Sequence, residues 1–265
     1  DWLTAPENPY FARSITNRVW AAYFGAGLVN PVDDLRASNP ASNEPLLAAL
    51  SDYLVKNKFD LKVLMRLILE SETYQRSGEV LSENRDDTKY LSRQFPRRLM
   101  AEVLHDAITD VTGVSDVFNK IALNDGSTQD TTVYKEGTRA LELYDSAVQS
   151  YFLKTFGRND REITCECERS NQPSMIQVLH LANGDALNGK LAAPKGIIER
   201  MLGEKMTDEA IVEEACLATL SRLPQAHERE GFLSLLKGAG EADRRVALED
   251  LFWALMTSRE FLFQH

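Results

Sequence analysis

Two thiols at i, i+2, Cys165 and Cys167, are the first place in this chain where chemistry could happen. In a strand both would point the same way. In a tight loop they could close a small, strained disulfide, which would be labile and hence redox-active. As soft metal ligands they fall short of the four a structural zinc site needs; the remaining donors are Cys216 and four scattered histidines. Free or simply paired thiols with a packing role are the plainer reading. Cys216 shares a helical stripe with Val212 and Leu220 and reads as a core thiol.

Arginines surround the cysteine pair. Arg158, Arg161 and Arg169 alternate with Glu162, Glu166 and Glu168, and a second group, Arg93, Arg97 and Arg98, precedes Glu102 and Asp106. Guanidinium forks suit carboxylate or sulfate ligands, whereas charge blocks also serve as solvated faces or internal ion-pair networks. Ser170, Asn171 and Gln172, just before Pro173, would place helix amides beside Arg169. The candidate binding set is Arg97, Arg98, Arg161, Arg169 and Asn183. Glu102, Glu168 and His180, with Asp106, are the acid–base candidates. Paired carboxylates run glycoside chemistry at separations of about 5–10 Å, which spacing in sequence does not supply. His180 reads equally as a packed histidine. No metal site and no cofactor is assigned, because the chain has no G-x-S-x-G, Walker, G-x-G-x-x-G, H-E-x-x-H or C-x-x-C-H motif.

The balance of 30 basic and 40 acidic residues, net −10, lacks the basic footprint that nucleic acid or an anionic membrane surface requires. At 43% hydrophobic and 26% charged, the 265 residues can bury a real core without staples. No apolar run approaches the roughly 18–20 residues of a membrane span. The chain opens on Asp1 with no signal-like segment after it, so it reads as a piece of a longer polypeptide whose compartment its start does not give.

The elements that must position these groups are helices. Asn8-Pro9 reads as a cap and first turn, followed by Phe11, Ile15, Val19 and Tyr23 on one stripe, with Gly25 as the stop. Helices are expected at 44–56, 60–71 and from Pro96 to Gly113. Residues 114–145 lose the helical period; Asn124–Ser127 is a turn signal, and Thr131–Tyr134 and Arg139–Leu143 read as short strands or extended arms. Helix returns at 147–155, from Pro173 to Gly184, and at 207–221, 225–237 and 243–256. The expected fold is mainly α: a multi-helical bundle with an N-terminal helical half (1–113), an irregular connector (114–145) with minor short strands, and a C-terminal helical half (146–265), together one composite domain.

Several stretches carry a family resemblance. Asn8–Arg13, Asn17–Trp20, Phe24–Val29 and Pro31–Asp34 open the series. Phe59–Lys62, Ser71–Gln75, Pro96–Leu99 with Ala101-Glu102, Cys165–Ser170, Gln177–Gly184 and Thr219–Pro224 complete it. In this order they resemble an uncharacterised C-terminal domain named for planctomycete-specific proteins. Much of that family replaces the second cysteine, so the Cys165–Cys167 pair looks like a subtype feature. The resemblance implies a large extracytoplasmic protein, periplasmic or at the cell surface, often with a cytochrome c-like domain and linked to polysaccharide machinery. Any haem would then belong to another domain. In that setting the chain is expected to be a binding or scaffold module whose partners are the upstream domains of its own polypeptide, with an anionic glycan as candidate ligand. The alternatives are an enzyme component acting on polysaccharide and a redox partner of a haem domain working through Cys165 and Cys167.

Overall fold

The computed structural model describes residues 2, 5, 8–87, 89–123, 125–144, 146–158, 174–184 and 186–264, without the side chains of 182 and 183. The fold is mainly α: twelve α-helices and a few short antiparallel strands among the described residues. The chain divides into two compact units, the first running to Arg97 and the second starting at Arg98.

In the first unit, α1 (Phe11–Phe24), α2 (Glu44–Lys56) and α3 (Leu61–Leu69) enclose one apolar core. Each start has a local cause. The Asn8 carboxamide oxygen accepts from the amides of Tyr10 and Phe11, that of Asn43 from Leu46, and the Asp60 carboxylate from Lys62 and Val63, as helix caps do. Ala12, Thr16, Trp20 and Phe24 form the most buried stripe of α1, with Ile15, Val19 and Tyr23 on its margin. Gly25 ends α1 at φ 81°, a conformation a β-carbon disfavours. The loop after it is fastened by buried Asn17, which hydrogen-bonds the Val29 main chain, and by an Arg18–Asp33 ion pair of 2.7 Å.

The second unit begins with Arg98 of the two-residue strand β1 (Arg97–Arg98), which pairs with β4 (Phe263–Gln264) at the far end of the chain. The helix expected from Pro96 starts at Ala101 instead: α4 (Ala101–Thr112) closes at Gly113 with φ 71°. Of the turn signal at 124–127, the described residues 125–127 sit inside a hairpin, β2 (Lys120–Ala122) against β3 (Thr128–Asp130), with Ile121 opposite Gln129. Strands therefore occur one step earlier than the β-branched run Thr131–Tyr134 suggests. Arg139–Leu143 is not a strand but surrounds a 3-10 turn, Ala140–Glu142. The cause is Asp106, whose carboxylate accepts from the amides of Ala140 (2.7 Å) and Leu141 (3.2 Å) and so occupies groups a neighbouring strand would need. Residues 147–149 run beside β2, so α5 (Tyr151–Thr155) starts only after its cap, Ser150.

After α6 (Met175–Asn183) come three helices of uneven length: α7 (Asn188–Leu191), α8 (Ile197–Gly203) and α9 (Asp208–Leu220). Then follow α10 (Ala226–Gly238), α11 (Arg244–Met256) and α12 (Arg259–Leu262). Their core centres on Leu104, Ile108, Phe156, Ile198, Leu248 and Phe252. Cys216 lies within it, fully buried, and burial pushes its thiol pKa up. Among the described residues no helix is long and apolar enough to cross a membrane.

Candidate functional site

Helix α4 carries an unusual row. Glu102, His105, Asp106 and Thr109 follow the i, i+3, i+4, i+7 spacing of one helical face, and that face is turned into the second unit, with His105 and Asp106 buried. Buried charge must be paired, and the row gathers its partners from distant parts of the chain.

The lower part of the row builds a network. His105 Nε2 lies 2.6 Å from Asp116 Oδ2, and its Nδ1 lies 3.3 Å from Asp106 Oδ1. Lys190, on α7 and only 5% exposed, donates to Asp116 (3.0 Å), to the Val114 carbonyl (2.5 Å) and to the Thr109 hydroxyl (3.2 Å). Asp106 is held by two backbone amides and by Arg139 at 3.5 Å. Asp116 is the member that reaches solvent, with its side chain 48% exposed. Its partial burial would raise the carboxyl pKa. The hydrogen bonds from His105 and Lys190, together with their charge, outweigh this and hold it below the usual carboxylate range. Such a carboxylate stays ionised and compensated from behind, which suits fastening residues 114–116 to α4 and α7 better than taking up a proton.

The upper part of the row meets Arg158 and Phe156. Glu102 Oε1 lies 3.9 Å from Arg158 Nε, both side chains nearly buried. Arg98 Nη2 donates to the Phe156 carbonyl (2.9 Å), and its guanidinium lies 5.6 Å from the Phe156 ring centre. Burial lowers the Arg98 pKa. His180, on α6, packs against the rings of Tyr151, Phe152 and Phe156 at 5.1–6.0 Å between centres. Arg98, Glu102 and His180 are thus gathered about Phe156 and Arg158, in a setting of stacked rings and main-chain hydrogen bonds. Arg97 belongs to the first unit. Its Nη1 donates to the Ala22 carbonyl (2.6 Å) near the end of α1, its aliphatic part lies against Gly25, and burial lowers its pKa. Arg161, Cys165, Cys167, Glu168, Arg169 and the side chain of Asn183 lie outside the described residues.

Three of the groups in these clusters carry no motif in sequence: Asp116, Lys190 and the pairing of Arg158 with Glu102. The available signal is the row itself, charged and polar residues at the positions of α4 where an amphipathic helix places apolar ones. Among the described residues no set of three or more His, Cys, Asp or Glu side chains is placed to hold a metal ion.

Helix α6 is turned the other way round from a normal surface helix. Gln177 is 7% exposed, because its amide donates to the Thr155 carbonyl (2.9 Å) while its oxygen accepts from the Ser174 amide. His180 and Leu181 continue this inward face, and Gly184 follows because a β-carbon there would strike the His180 carbonyl. The consequence is that Met175, Ile176, Val178 and Leu179 stand outward at 55–73% exposure, with Tyr151 exposed nearby on α5. Exposed apolar side chains are common singly, but four on one two-turn segment form a patch.

No curated protein and no solved structure matches the chain. A family model described as "PSD1: Protein of unknown function (DUF1553)" matches residues 1–236. The match covers most of the chain, which belongs to this family.

Proposed function

We propose that the chain is a binding module of a multidomain extracytoplasmic polypeptide, and that the outward face of α6 is the surface with which it docks on a neighbouring domain. The observation that carries this reading is the inversion of α6, polar Gln177 inside and Met175, Ile176, Val178 and Leu179 outside. An apolar patch of this kind is what a partner surface removes from water. The polar residues that sequence offers for catalysis support binding over chemistry, since Glu102 faces Arg158 and His180 is packed among rings. The guanidiniums of Arg97 and Arg98 each donate to a main-chain carbonyl, which favours a protein surface over an anionic carbohydrate as the ligand.

The test uses the upstream part of the polypeptide and this chain as separate proteins. Calorimetric titration should give saturable binding, and the pair Ile176→Asp, Leu179→Asp should weaken it at least about tenfold, the scale of losing one or two interface anchors. Both positions are exposed, so the variant should unfold at the wild-type temperature. Unchanged affinity in the variant would remove the proposal. Binding of a sulfated or uronate glycan that depends on Arg98, with no affinity for the upstream domains, would replace it with the carbohydrate reading.

A further inference from the structure

A surface hollow of about 350 Å³ lies between α7 and α11, lined by Asn188, Leu191, Glu249, Asp250 and Trp253. Its volume is at the low end for small-ligand clefts, which run from about 300 to 1,000 Å³. The floor is Leu191, which is buried. Glu249 and Asp250 stand four and three residues before Trp253 on α11, so the two carboxylates and the indole share one face of that helix. Trp253 is 38% exposed, whereas Leu248, Leu251, Phe252 and Leu255 around it in sequence are buried.

Among the described residues the charge at this hollow is unbalanced. Glu249 lies 3.6 Å from Arg245, one turn earlier, but the same guanidinium is paired with Glu199 on α8. Asp250 is exposed and makes no ion pair among the described residues. Glu249 therefore has only part of one cation, and Asp250 none among the described residues, beside a partly exposed indole. An anion would be repelled there, and a neutral apolar group would leave the carboxylates without a counter-charge. A cation gains from both, through attraction to the ring face and through pairing with the acids.

We infer that the hollow between α7 and α11 is a binding site for an ammonium group. The inference is independent of the docking face, which lies on α6. The group could arrive on a small quaternary amine or on the primary amine of a lysine side chain, and the two are separated by experiment. The chain is titrated with choline, with 3,3-dimethylbutan-1-ol as its neutral isostere, and with Nα-acetyl-lysine methylamide. The readout is the indole N–H resonance of Trp253, identified among the three tryptophans by Trp253→Phe. One or both ammonium ligands should shift that resonance saturably, and the neutral isostere should not. Asp250→Asn should weaken binding about fivefold, the order of one exposed charge pair. Trp253→Ala should weaken it about tenfold or more. Both side chains are solvent-accessible, and matching thermal unfolding of Asp250→Asn and wild type keeps the result interpretable if Trp253→Ala folds poorly. A saturable shift with the neutral isostere equal to that with choline, no shift with either ammonium ligand, or binding unchanged in Asp250→Asn would each overturn the assignment.

Discussion

Asn17 grips Val29 from both sides: its Nδ2 donates to the Val29 carbonyl at 2.8 Å and its Oδ1 accepts from the Val29 amide at 2.9 Å. The same Nδ2 donates to the Val32 carbonyl at 2.8 Å. One buried carboxamide thereby satisfies three main-chain groups of the loop that follows α1. Gly27 sits where a β-carbon would collide with it.

Replacing that carboxamide should be costly. Asn17→Ala leaves an amide and two carbonyls without partners, each worth about 1–3 kcal/mol when buried. We expect a loss of about 3 kcal/mol in urea unfolding. Asn17→Asp, which keeps the acceptor and removes both donated bonds, should be nearly as destabilised. A loss under about 0.5 kcal/mol in both would show that the loop is held by other means.

Helix α6 should answer in the opposite sense to hydrophobic intuition. Gln177→Leu, a polar-to-apolar change, removes the bond to Thr155 and one arm of the cap and should destabilise by about 1–2 kcal/mol. Ile176→Asp, an apolar-to-charged change on the outer face, should stay within about 0.5 kcal/mol of wild type. Thermal unfolding of the two variants side by side settles which face is inside.

The Asp116–Lys190 pair offers a double-mutant cycle. Asp116→Asn leaves Lys190 buried with only neutral acceptors. The cost should be about 1–2 kcal/mol, below the range for fully buried pairs because Asp116 is half in water. In a Lys190→Met background the same change should cost much less. Amide exchange across residues 114–118 should quicken in Asp116→Asn, since Lys190 holds that segment through Val114 and Asp116.

Acid should probe Arg222. Its guanidinium makes paired hydrogen bonds to Glu228 and to Glu260, four contacts of 2.6–2.8 Å. The hydrogen bonds from Arg222 lower the Glu228 pKa from 4.5 to about 2. A depressed carboxyl contributes stability that is complete above its unfolded value and is lost as pH falls toward the folded one. Wild type should therefore lose stability between about pH 4.5 and 2 more steeply than Arg222→Met, measured by unfolding at a series of pH values. Parallel curves would mean the clamp adds nothing to this dependence.

Much of this architecture is legible in the sequence, and the exceptions have physical causes. Helix ends with a local cap or stop, such as the start of 44–56 behind Asn43 and the end of 101–112 at Gly113, announce themselves because local bonds define them. The short helices α7, α8 and α12 do not, since four to seven residues give too little periodicity and tertiary packing decides them. The 3-10 turn at 140–142 depends on Asp106, more than thirty positions earlier, which no local pattern encodes. Of the candidate site, Arg98, Glu102 and His180 were visible as residue types. Their pairings were not, because Arg158 and Phe156 reach them only through the fold. The motif stretches at Asn17 and Arg222 turn out to hold loops and helices together.

The Arg222 clamp also says where this chain must not be cut. Glu228 opens α10, but the second carboxylate, Glu260, comes from α12, after the whole of α11. A fragment stopping after α10 would forfeit half of the clamp and remove Leu248, Leu251, Phe252 and Met256 from the core that Ile198 of α8 and Cys216 of α9 belong to. Expression boundaries should therefore run past residue 262, and shorter pieces should be recovered as aggregates rather than as a soluble domain.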